Sequence, residues 1–185
     1  MLRMYTLTGF TVMFVTTAAL VGGGCRPFQG STDGELLQRF HEHRSELEQL
    51  IRMFQADKGL GRVGKNFTRP DDPSRVGVSF ERISEYRRLC EVVGAAACIE
   101  GYDASFYRLG AAGPPPGVTE AKEPIWIIVS TSGLSFSGST KGYLYSAAPT
   151  FEVVPDLDHH PSTVRSKTWI RHVEGPWYLF FDVRN

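Results

Sequence analysis

The sequence predicts an α+β fold in which two N-terminal helices pack on one antiparallel sheet of about five strands. Three observations carry this reading. Apolar residues recur at helical spacing in the first half and at strand spacing in the second, without the alternation that a parallel doubly wound sheet requires. Gly- and Pro-rich punctuation separates the strands. Hydrophobic residues make up 42% and aromatic residues 12% of the chain, enough for a folded core.

The elements follow in order. Thr32-Asp33-Gly34-Glu35 has the form of a capping box, with Thr32 as N-cap and Glu35 three residues on. Leu36, Phe40, His43, Leu47, Leu50, Ile51 and Phe54 then keep helical spacing until Gly59, which predicts one helix of roughly 25 residues. The next segment, GLGRVGKNFTRPDDPSRVGV, reads as a loop. A second helix is expected from near Ser79 to Gly94, with Phe80, Ile83, Tyr86, Leu89, Cys90 and Val93 inward.

Strands are expected over residues 99–109, 125–129, 134–137 and 141–147, with Gly138-Ser139-Thr140 as a turn. The apolar run Ile125-Trp126-Ile127-Ile128-Val129 suits a central strand covered on both faces. A proline-bounded loop over 149–161 precedes a closing hairpin, 168–173 and 177–183, turning at Glu174-Gly175-Pro176.

The first 24 residues set the address. Arg3 is the sole charge before an apolar stretch ending in Gly22, Gly23 and Gly24, the pattern of a signal peptide. Residues 25–31 read as a tether and 32–185 as a single domain. Removing Arg3 leaves the mature chain one basic residue short of its 20 acidic ones. A balance this close to zero offers no general field for nucleic acid. Three cysteines, Cys25, Cys90 and Cys98, leave an even pair if the first is modified. On one continuous helix Cys90 and Cys98 would lie ~12 Å apart, too far for a disulfide. A helix stop at Gly94 could fold Cys98 back; two buried free thiols are the alternative.

Several residues carry candidate chemistry. Gly59-Leu60-Gly61-Arg62-Val63-Gly64 matches GxGxxG, but it follows a helix and leads into a loop, so it reads as a helix stop. Lys58, Arg62, Lys65 and Arg69 on that loop could meet phospholipid head groups or an acidic partner, but Asp57, Asp71 and Asp72 are near enough to neutralise them, and a solvated loop is the simpler reading. Asp156, Asp158, His159 and His160 are a cluster of metal-ligand types, weak because adjacent histidines on a strand point opposite ways. His172, with Glu174 nearby, is a weak candidate for catalysis, with no GxSxG, HExxH or reactive-cysteine signature to support it. A histidine bonded within its own hairpin is the simpler reading. Tyr143, Tyr145, Trp177, Tyr178 and Phe180 are candidates for a partner-binding face if the outer side of the sheet is uncovered. No cofactor is expected.

Two resemblances add to this. The segment ending at Cys25 resembles the lipobox of bacterial lipoproteins, with Gly23 and Gly24 in place and Gly22 departing from the usual aliphatic residue. It implies acylation of Cys25, and ordinary cleavage after Gly24 or Ala19 is the alternative. SGSTKGYLYS (137–146) and WIRHVEGPWYLFFD (169–182) resemble a family of small bacterial envelope proteins with a KGYxYS strand and a closing RHxEGxWYLF hairpin. That resemblance implies bacterial origin and supplies no catalytic residue.

The functional expectation is a lipid-anchored cell-envelope protein, a palmitate-bearing lipoprotein on the outer membrane facing the periplasm. A soluble periplasmic or secreted form is the alternative. It is read as a non-enzymatic macromolecule-binding module of inhibitor, immunity or envelope-accessory type. Its partners would be the membrane, through the lipid, and an envelope protein, with no nucleic acid. A small periplasmic hydrolase is the other reading.

Overall fold

The computed structural model of the chain describes residues 30–101, 124–134, 137–159 and 166–184. The leader, Cys25, His160 and the predicted strand beyond Gly101 lie outside these residues.

The α+β class holds, with a larger sheet than expected. Among the described residues, helices α1 (Asp33–Glu42), α2 (Arg44–Ala56) and α3 (Phe80–Val92) accompany eight strands. These are β1 (Arg62–Val63), β2 (Thr68–Arg69), β3 (Cys98–Gly101), β4 (Ile125–Leu134), β5 (Ser137–Tyr145), β6 (Glu152–Val153), β7 (Lys167–Glu174) and β8 (Trp177–Arg184). They form one sheet in the order β2-β1-β3-β4-β5-β8-β7-β6. All pairings are antiparallel except β6 with β7, so the sheet is mixed. The extra strands are two-residue pieces inside segments read as loops, too short to show any periodicity.

The capping box forms as read: Thr32 Oγ1 accepts from the Glu35 N–H, and Glu35 accepts from the Thr32 N–H at 2.8 Å. The single long helix is instead two, broken at His43. The apolar spacing survives the break, since Leu36, Phe40, Leu47, Leu50, Ile51 and Phe54 are all buried. Nothing in the contacts of His43 explains why the helix breaks there. Ser79 caps α3 through the Arg82 N–H. Phe80, expected inward, is 66% exposed as the first residue of that helix.

At the far end of α3 the chain reverses in a Schellman turn. The Ala95 N–H bonds the Cys90 carbonyl at 2.7 Å, the Gly94 N–H bonds Glu91, and Gly94 takes φ +68°. The reversal brings Cys98 back beside the helix, and Cys90 and Cys98 are joined by a disulfide with Cα atoms 5.2 Å apart. Asp57, just after α2, accepts from Tyr86 Oη and Arg82 Nε, both at 2.8 Å, and so ties α2 to α3. Burial pushes the Tyr86 hydroxyl up, and the Asp57 carboxylate pushes it further.

Strand β4 is central and covered on both faces, as its apolar run predicted. Ile125, Ile127 and Val129 join the main core beneath the helices, whereas Trp126 and Ile128 join a second cluster on the outer face. That cluster includes Leu144, Ile170 and Phe180, and Phe151 from the loop before β6 packs on Trp126 at 5.3 Å. Gly138-Ser139-Thr140, expected as a turn, is strand: Gly138 pairs with Gly133 and Thr140 with Thr131. The closing hairpin is as read, with Gly175 at φ +50° in its turn.

Candidate functional site: an ion cluster buried under the first helix

Alternation along β5 places Lys141, Tyr143 and Tyr145 toward the helices and Gly142 and Leu144 on the outer face. Position 142 must be glycine. A bulge between Ile128 and Ser130 brings the β4 backbone so close that a Cβ there would lie 2.1 Å from the Ile127 carbonyl oxygen. Lys141 therefore emerges on the inner face, between Ser130 of β4 and Phe181 of β8, where α1 begins. Its side chain is 2% exposed.

A lysine buried this deeply is stable only if its charge is met. Nζ lies 2.6 Å from Oδ1 of Asp33, the first residue of α1, and donates to Oδ1 of Asp158. Oδ2 of Asp158 accepts the Asp33 N–H at 2.9 Å, so a carboxylate also sits at the positive end of α1. Oδ2 of Asp33 accepts from the Leu157 N–H at 3.0 Å and from Arg171 Nη1 at 2.8 Å. Two cations face two anions, drawn from α1, β5, the loop before β7, and β7 itself.

Burial pushes the Asp33 carboxyl up. The Leu157 N–H and the Lys141 and Arg171 side chains outweigh that penalty and leave it below the ordinary value of 3.8. Its ionised form stabilises the fold above pH 3.8, and that contribution fades as pH falls through the lowered folded value.

The metal-ligand types distribute around this cluster. Among the described residues, Asp33, Asp156 and Asp158 can each bring one oxygen within 4.8 Å of the others. The space between Asp33 and Asp158 is taken by the Lys141 ammonium, which supplies the charge balance a metal would supply. Asp156 bonds the Asp158 N–H and pairs with His159 Nδ1 at 2.8 Å, with His159 facing solvent. That pairing raises the His159 imidazole above its ordinary 6.5.

His172 and Glu174 do not come together. His172 lies exposed on the outer face, its Nε2 bonded to the Gly175 carbonyl at 3.1 Å and its ring edge-on to Tyr178. A bulge between His172 and Glu174 reverses the alternation, so Glu174 opposes Trp177 and reaches Arg44 of α2.

The proposed aromatic face is also corrected. Tyr143 is fully buried and donates to the Leu36 carbonyl at 2.9 Å. Trp177 is buried against Phe40, and Tyr145 is half-buried against Trp177. Phe180 is buried against Trp126 on the outer face, and Tyr178 is half-buried there beside His172. The sheet is covered on both sides, by helices on one and in part by Phe151 on the other. Tyr143, Trp177 and Phe180 are core, while Tyr145 and Tyr178 pack on it and stay partly exposed.

Sequence reading missed the cluster itself. In the sequence Lys141 reads as the edge of a turn, Asp33 as part of a capping box, and Arg171 as the neighbour of a more conspicuous histidine. One signal was available: Lys141 shares the phase of Tyr143 and Tyr145, so a charge sits in the apolar register of its strand.

No protein-family model, no curated protein and no solved structure matches this chain. Among the described residues, no helix is long and apolar enough to cross a membrane.

Proposed function

We propose that this chain is an exported protein of the bacterial envelope, held to the membrane by lipid on Cys25, whose folded domain binds another envelope protein without catalysis. The observation that carries the reading is the leader itself: a short basic start, an apolar stretch and small residues immediately before a cysteine. The Cys90–Cys98 disulfide fits an oxidising compartment.

A non-catalytic role is supported, among the described residues, by the internal pairing of the candidate reactive side chains. Lys141, Asp33, Asp158 and Arg171 pair with one another, Glu174 pairs with Arg44, and His172 bonds its own turn. With the sheet aromatics buried, the binding surface moves to the segment between α2 and α3. There Phe67 is 43% exposed, Phe80 is more so, and Lys58, Lys65 and Arg75 lie exposed with them along the chain. Exposed aromatic and cationic side chains along one stretch of chain suit a partner that is apolar with an acidic rim.

A photoreactive residue in place of Phe80, in cells carrying the full chain, tests this. A discrete cross-linked envelope protein that disappears when Phe67 and Lys65 are changed to alanine is the expected result. Cross-linking that is absent, or unaffected by those changes, contradicts it.

A further inference from the structure

We propose that Lys141 and Asp33 join in an intramolecular isopeptide bond, which locks α1 to the centre of the sheet. Three groups around the pair are arranged for that chemistry. The nucleophile is Nζ, held 2.6 Å from Oδ1 of a carboxyl that is itself 3% exposed. That contact does not follow a hydrogen-bonding direction: Oδ1 is buried without a hydrogen-bond partner, although the ammonium touches it. The other oxygen, Oδ2, already receives two donors, the Leu157 N–H at 3.0 Å and Arg171 Nη1 at 2.8 Å. Two donors on one carboxyl oxygen are what a tetrahedral intermediate needs when that oxygen takes up negative charge. The third group is Asp158, hydrogen-bonded to Nζ and placed to carry a proton between nitrogen and oxygen.

The surroundings favour the reaction. On the same rung of the sheet as Lys141 stand Phe181 and, one strand further, Trp169, both buried. Burial of the pair sets a cost on holding two charges, and because its donors keep Asp33 ionised, the neutral amine and acid form only by proton transfer within the pair. Burial also makes an uncharged amide a favourable replacement for two buried charges. Fixed proximity supplies the rest.

The step balances. One ammonium proton passes to Asp33 Oδ1, and Nζ then attacks Cγ to form the N–C bond, leaving negative charge on Oδ2. A second proton passes from nitrogen to Asp158 and on to Oδ1. The Cγ–Oδ1 bond breaks and Oδ1 leaves as water, while the third hydrogen stays on the amide nitrogen. Nothing is oxidised or reduced. Arg171 and Asp158, both partly exposed, remain as one cation and one anion, so the charge around the amide stays balanced.

The test is peptide-level mass spectrometry of the full chain after folding, reduction of the disulfide and protease digestion. The expected product is a branched peptide joining the segment with Asp33 to the segment with Lys141, lighter by one water than the two separate peptides. Asp158→Asn, confirmed as folded by circular dichroism, is expected to yield the separate peptides, and Lys141→Met to yield no branch. Separate, full-mass peptides from folded wild-type chain after prolonged incubation would overturn the proposal. A water-loss cross-link between Lys141 and Asp158 instead would overturn the assignment of Asp33 as the acyl group.

Discussion

Gly142 shows how closely a single position can be specified by its neighbours. A methyl group there would meet the Ile127 carbonyl oxygen at 2.1 Å and the Val129 nitrogen at 2.9 Å, both backbone atoms that cannot rotate away. Gly142→Ala is therefore expected to destabilise the fold by about 3 kcal/mol or more, read as a fall in the denaturation midpoint. A loss below about 0.5 kcal/mol would show that the β4 bulge yields easily. His159 offers a second check at this scale. Its pairing with Asp156 raises the imidazole above 6.5, so the pair is complete below that pH and is lost as pH rises through the folded value. Both groups are exposed, so the effect belongs to a titration curve more than to stability. An NMR titration should place His159 above 6.5, and Asp156→Asn should return it toward that value.

Among the elements, the Schellman turn after α3 and the disulfide act together. Gly94 takes φ +68°, and a Cβ there would also meet Arg39 Nη1 at 2.8 Å. Gly94→Ala is expected to cost about 1 kcal/mol or more. Replacing Cys90 and Cys98 together by alanine should cost about 2–3 kcal/mol, since the bridge closes a short loop. Denaturant titrations of both variants measure these losses, and an unchanged midpoint would contradict the account. Elements with strong local signals were legible: the capping box at Thr32, the helix start near Ser79, the apolar run of β4 and the closing hairpin. Gly138–Thr140 was not, because Gly and Ser read as turn unless the partner strand is known. Here β4 and β8 flank them on both sides. The break at His43 left no mark in the apolar spacing, so it too was invisible.

At the scale of the whole molecule, the buried ion cluster is what local reading could not reach. Asp33 and Arg171 are 138 residues apart, and each member had a sufficient local explanation. Only the fold brings them to one point. The aromatic residues show the converse: their alternation was legible, but whether the outer face is covered depends on Phe151, which sits in a loop of unreadable shape. With that face covered in part by Phe151 and the reactive side chains of the described residues paired internally, the proposed binding role rests on the exposed segment between α2 and α3.

The address at Cys25 is thus the premise on which the proposed role depends. Mass spectrometry of the mature N-terminus, taken from the membrane fraction of cells making the full chain, tests it most directly. The account predicts a chain that begins at Cys25 and carries acyl groups there, and a Cys25→Ala variant that is not acylated and leaves the membrane fraction. A mature chain that begins elsewhere, or begins at an unmodified Cys25, would contradict it.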